Sequence, residues 1–258
     1  MIPVVPGYVE LITLTTNLVI GVSVWSIVSS AAGRSGLPAA IQRKVQGGTA
    51  VFLGTWLGAA LLLAPPVDSL VGQDPLYISP LVPLFVIVPF TIAILAIQFS
   101  PPIRSVLSAT SLPAVIGVQL YRTIGALFLV LLALGQLPAH FALPAGWGDI
   151  GIGLSAPLVA LAVARGSPGS RALAVAWNVV GLIDLVVAVG MGTGFLAPLL
   201  APELGTRVPP AAVMGVFPMI LVPTFAVPVS VLLHLLALAR VRREERHPSA
   251  SSALVTPG

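Results

Sequence analysis

Seven apolar runs of transmembrane length alternate with short polar connections along the chain. They fall roughly at Tyr8 to Ala32, Thr49 to Ala64, Ile78 to Phe99, Leu112 to Leu137, Asp149 to Ala164, Ala172 to Gly192 and Met214 to Ala239. A bilayer core needs about 20 mainly apolar residues per helix. Backbone groups in hydrocarbon must be satisfied within the segment, so runs of this length predict helices. Barrel strands would be about 10 residues long and alternate in polarity, and these segments do neither. The pattern predicts an all-α integral membrane bundle of seven transmembrane helices. It forms a single domain over residues 1–239, followed by a basic, disordered tail over 240–258.

Polar positions inside the runs carry most of the remaining information. The first run has a stripe at helical spacing, Glu10, Thr13, Asn17 and Gly21. The second contains Gly54 and Gly58, the GxxxG spacing that permits close helix contact. Pro83 and Pro89 are expected to kink the third. Pro218, Pro223 and Pro228 interrupt the seventh, removing backbone donors and leaving carbonyls without helical partners. A kinked or unwound stretch between Phe217 and Val229, turned into the bundle, is expected there. Asp149, Gly153, Ala156, Ala160 and Ala164 form a small-residue stripe suited to helix packing.

Composition agrees with this reading. The chain is 57% hydrophobic and 8% charged, against about 25% charged in soluble domains. A chain so poor in charge cannot cover a water-facing surface, so the lipid bilayer is its expected main partner. The formal net charge of +4 does not imply nucleic acid, because the basic residues lie in short loops and form no patch. Cysteine is absent, which excludes disulfides, thiolate metal sites and thiol catalysis. No Lys or Arg precedes the first run, so it is expected to be a retained helix and not a cleavable leader. Arg34, Arg43, Lys44, Arg104, Arg165, Arg171, Arg240, Arg242, Arg243 and Arg246 follow runs 1, 3, 5 and 7, whereas only Arg207 lies on the opposite side. Lys and Arg in short loops mark the cytoplasmic side, so the split predicts an outside N-terminus and a cytoplasmic C-terminus. A wrong helix count would have scrambled it.

Arg122 is the most informative residue, since a charge placed mid-membrane costs about 3 kcal/mol on the insertion scale. Gln119, Arg122, Gly125 and Ala126 share a polar, small face, with Tyr121 adjoining. Measured from the cytoplasmic end at ~1.5 Å per residue, Arg122 lies ~15 Å deep and Asp184 ~18 Å. Asp149 opens its helix near the outer surface, so Asp184 is the expected partner. The pair is either a structural lock or a site for an anionic group or a proton step; a third reading, in which the fourth helix starts later and Arg122 snorkels to the interface, is opposed by the apolar stretch before it. Trp177, Gly181, Asp184 and Ala188 lie on one stripe with Asn178 beside it, an aromatic wall with a gap and an acid, like a cavity lining. His234, placed near the inner end of the seventh helix, is a titratable candidate; a bond to a carbonyl freed by Pro228, or to interface water, is the expected alternative.

No cofactor and no metal are expected. A retinal pigment needs a lysine in the last helix, and Lys44, the only lysine, lies in a loop. Haem between His140 and His234 is disfavoured by their expected difference in depth. His247 is in the tail, too far for a three-histidine metal site. The strings YRTIGALF, LPAGWGD, WNVVGLID and MGVFPMILVPTFAVPVSVLLH resemble a family of uncharacterised bacterial multi-pass inner-membrane proteins, over helices 4 to 7. That resemblance implies location and topology, and no activity. The expected function is small-solute or proton-coupled binding or transport through a polar site in the bundle. The alternative is an accessory or scaffolding subunit among other membrane subunits. An enzyme is less favoured, because no nucleophile–base pair is recognisable.

Overall fold

A computed structural model describes residues 5–73, 79–201 and 211–246. Its described residues are mostly helical, with no strand among them. The elements are α1 (Gly7–Arg34), α2 (Ala39–Leu62), α3 (Leu81–Phe99), a short α4 (Pro101–Ser108), α5 (Leu112–Ala133), α6 (Ala139–Ala164), α7 (Ser170–Gly192) and α8 (Val227–Arg246). Seven of these, all but α4, are long and apolar enough to cross a membrane; for the last, the apolar stretch runs over Val222–Arg243.

The helix count matches the hydropathy pattern, but several boundaries move. α2 begins at Ala39, so Arg43 and Lys44 lie in a helix and not in a loop. α6 begins at Ala139 and passes through Pro144 and Pro157. The stretch around His140, expected as a loop, is therefore its first turns. Proline is tolerated in such helices where neighbours re-satisfy the backbone. α8 continues to Arg246, so residues 240–246 extend the helix instead of opening the tail. Asp74, Glu203, Arg207 and residues 247–258 lie outside the described residues. α5 and α6 stop where Gly135 (φ +68°) and Gly166 (φ +63°) adopt the left-handed conformation that closes helix ends at little cost for glycine.

α5 and α8 form the centre. Half or more of their apolar windows is buried within the protein, 50% and 56%, against 6% for α3. α6 packs along α5 and α7, α8 closes onto α5 and α7, and α1 leans on both α5 and the start of α8. α2 and α3 are peripheral. The stripe Gly153, Ala156 and Ala160 meets α5: a Cβ on Gly153 would come 2.7 Å from the Thr123 backbone nitrogen. Gly54 and Gly58 face open space, so the GxxxG pair serves no contact among the described residues.

Both central helices depart from α geometry. Val118–Gly125 is wound as a 3₁₀ helix, longer than the usual three or four residues. At ~2.0 instead of ~1.5 Å per residue it is ~4 Å longer than the same stretch in α form. Arg122 is in this stretch. The entry to α8 is a turn over residues 217–220 followed by a π-turn, Val222–Ala226. Met219, Ile220, Leu221, Phe225 and Val229 here are buried, as the three prolines led us to expect. Pro228 has no N–H for the Thr224 carbonyl one turn earlier. Trp56 of α2 supplies the donor instead, Nε1 to Thr224 O at 2.8 Å, with its ring edge-on to Phe225 at 5.2 Å.

Replacing Trp56 by Phe keeps an aromatic ring but strands that carbonyl, which costs about 1–3 kcal/mol. Thermal unfolding in detergent is expected to show this loss for Trp56→Phe. Adding Pro228→Ala, which restores a main-chain donor, is expected to recover part of it.

Candidate functional site

Arg122 is 2% exposed, which requires every charged nitrogen to find an acceptor. Nε donates to Asp149 Oδ1 at 2.7 Å, and Nη2 approaches the same oxygen at 2.6 Å. Nη2 also donates to Asp184 Oδ2. Nη1 donates to the Gly181 carbonyl at 3.3 Å and faces His234 Nε2 at 3.2 Å. One guanidinium is thus shared by two carboxylates, a carbonyl and an imidazole.

This corrects the expected depths. Asp184 is a partner, as its level suggested, but Asp149 is equally one. α6 starts at Ala139, which puts Asp149 ~15 Å into the helix and not at its mouth. His234 moves as well. With α8 running to Arg246, it lies ~18 Å from that end, fully buried, and Trp56 takes the carbonyl that Pro228 frees.

The hydrogen-bond chain fixes the imidazole. Arginine can only donate, so His234 Nε2 accepts. Its Nδ1–H then donates to Asn178 Oδ1 at 2.8 Å, and Asn178 Nδ2 donates to the Ala174 carbonyl at 2.7 Å. Both ring nitrogens are engaged in a neutral tautomer. Trp177 packs on the ring, centroids 5.3 Å apart, and donates Nε1–H to Ser155 Oγ at 2.8 Å. The expected gap at Gly181 is therefore no ligand space: it is filled by His234, whose Cε1 would lie 2.4 Å from a Cβ there. Asp184 lies over Gly148 in the same way, with Oδ1 1.7 Å from the Cβ position.

Tyr121 and Gln119 form a flank. Ser230 Oγ donates to the Ala226 carbonyl at 2.9 Å, so the Tyr121 hydroxyl donates to Ser230 Oγ at 2.6 Å. Gln119 Nε2 donates to the Ser230 carbonyl at 3.3 Å. Gln119 Oε1 is buried without a partner among the described residues. The structure thus gathers the arginine, both aspartates, His234, Asn178 and Trp177, with Gln119 and Tyr121 alongside. Sequence reasoning missed Gly148, Ser155 and Ser230. Ser230 stands one turn before His234, a spacing that marks a shared face. Gly148 carries no signal in a stretch whose proline and glycines read as a loop.

The fold and site define a class: an all-α protein with seven helices of membrane-crossing length around a buried guanidinium shared by two carboxylates. A family described as Domain of unknown function (DUF8737) matches residues 79–242, more than half of the chain, and the chain belongs to that family. The match begins just before α3, earlier than the resemblance drawn from helices 4 to 7. No curated protein and no solved structure matches the chain.

The two glycines against the cluster give a direct check. A methyl group at Gly148 or Gly181 must displace Asp184 or His234, and overpacking of this kind costs about 1–3 kcal/mol. Gly148→Ala and Gly181→Ala are each expected to lower the unfolding midpoint. Gly54→Ala, in open space, is expected to leave it unchanged or raise it.

Proposed function

We propose that this protein is an integral protein of a bacterial cytoplasmic membrane, with its N-terminus outside and its C-terminus inside. In this reading it binds a small solute at the Arg122 cluster in exchange for a proton. One observation carries it. Two carboxylates and one guanidinium, with a neutral imidazole, leave the buried cluster one negative charge in excess. In an apolar interior that excess is expensive, and either a proton on the carboxylate pair or a cationic group brought by the solute neutralises it. Arrival of the cation releases the proton, which couples solute to protons. Two carboxylates this close titrate as a pair, so the proton belongs to the dyad and not to one aspartate.

The roles follow from the bonds. Arg122 holds the two carboxylates together, Asp149 and Asp184 exchange the proton, and His234 with Asn178 fixes the guanidinium from the far side. Trp177, Gln119 and Tyr121 position these groups. The ten-to-one split of basic residues supports the orientation, and the seven long apolar helices support membrane insertion.

Infrared difference spectroscopy of the purified protein during a pH titration across neutrality tests the reading. The expected result is the carbonyl stretch of one protonated carboxylic acid, lost in a single step as pH rises and missing in both Asp149→Asn and Asp184→Asn. If both carboxylates stay ionised throughout, no proton is exchanged and the cluster is a lock. The accessory-subunit reading then takes its place.

A further inference from the structure

Beside the cluster lies a cavity of about 630 Å³, within the ~300–1,000 Å³ range of sites for drug-sized molecules. It is framed by the starts of α3, α6 and α8 and by the ends of α5 and α7. It therefore occupies the half of the bundle away from the basic ends of α1, α7's start and α8. Its wall is apolar, with Val86, Phe128, Val186 and Val231 among the lining residues.

Two polar groups break that wall. The first is Asp149. Its Oδ1 takes both contacts from Arg122, and its Oδ2 accepts no hydrogen bond among the described residues. The second is Ser79, just before α3. It is 4% exposed, it lines the cavity, and its Oγ has no partner among the described residues. A buried hydroxyl without a partner loses about 1–3 kcal/mol, so Ser79 independently points to a ligand atom. Thr193, also on the wall, is already satisfied by the Val189 carbonyl at 2.9 Å.

From this we infer that the cavity is a binding site for a lipophilic amine: an apolar body with one ammonium group. The ammonium donates to Asp149 Oδ2 and neutralises the excess negative charge, and the body fills the apolar space. Ser79 is available to a second polar group on the ligand. An anion is repelled by the same excess. A neutral chain or a lipid tail fills the volume but leaves the carboxylate unpaired against hydrocarbon. The inference rests on the charge excess behind the proposed function, and it names the solute class.

The test uses the full chain in phosphatidylcholine nanodiscs, radiolabelled decylamine, and decanol and decanoate as competitors. Decylamine is expected to bind saturably, one per protein. Decanol and decanoate are expected to bind about tenfold to a hundredfold more weakly, the loss of one charge-assisted hydrogen bond. Val86→Trp, which fills the cavity from the peripheral helix α3 and leaves the cluster intact, is expected to abolish binding while unfolding like the parent. Asp149→Asn is expected to weaken binding by a similar factor. Equal competition by decanol, or unchanged binding in Val86→Trp, overturns the inference. A pH-sensitive dye separates the two proposals. Decylamine that binds without releasing a proton sinks the coupling and leaves the site standing. A proton step seen by infrared without decylamine binding sinks the site and leaves the coupling standing.

Discussion

A buried guanidinium held between two carboxylates is the constraint on which the rest of this structure depends. Taking three charges into an apolar interior is costly, and the mutual attraction offsets that cost only if geometry is good and every remaining donor is met. The surroundings follow from this demand. Gly148 and Gly181 clear the space for Asp184 and His234. The Gly181 carbonyl takes a donor that neither carboxylate reaches. Asn178 orients the imidazole so that its lone pair meets the arginine. The 3₁₀ winding of Val118–Gly125 sets the height at which α5 presents Arg122.

The same constraint separates two faces of the cluster. Toward α8 and the start of α7 it is packed, with His234, Trp177 and Asn178 filling the space. Toward the ends of α5 and α7 it borders the cavity through Asp149. A carrier of strongly polar solutes requires a polar route to the charges, and the wall here is apolar. This asymmetry supports the proposed ligand class, a molecule with an apolar body and a single positive group, over a sugar or a free anion. It also gives α3 its place: a peripheral helix, scarcely buried, that forms one side of the cavity and contacts the π-turn of α8.

Much of this was legible in the residues. Seven runs of apolar sequence fixed seven helices, and a charge inside one of them singled out Arg122. Proline spacing foretold the irregular, buried entry to α8. Depth was the weak link. Pro144 and the glycines of LPAGWGD read as a loop, because both residue types end helices in water. In this bundle they continue one, so Asp149 was placed at a surface where no arginine could reach it. His234 was misplaced for the mirror reason: the basic residues after Ala239 read as a tail, yet they extend the helix. The cavity had no sequence signal, since its wall is mostly apolar residues, from five helices and the segment before α8, that differ in nothing from packing residues.

The central claim is that Arg122, Asp149 and Asp184 form one coupled unit, and a mutant cycle on those positions tests it most directly. Unfolding in detergent is compared for Arg122→Met, for Asp149→Asn with Asp184→Asn, and for all three changes together. The account predicts that Arg122→Met costs about 3–5 kcal/mol, because it leaves the carboxylate pair without the cation that balances its charge. It also predicts that the triple variant is more stable than Arg122→Met alone, because no charge is left unpaired. Losses that simply add across the cycle would show that the three residues are not coupled, and would contradict the account at its base.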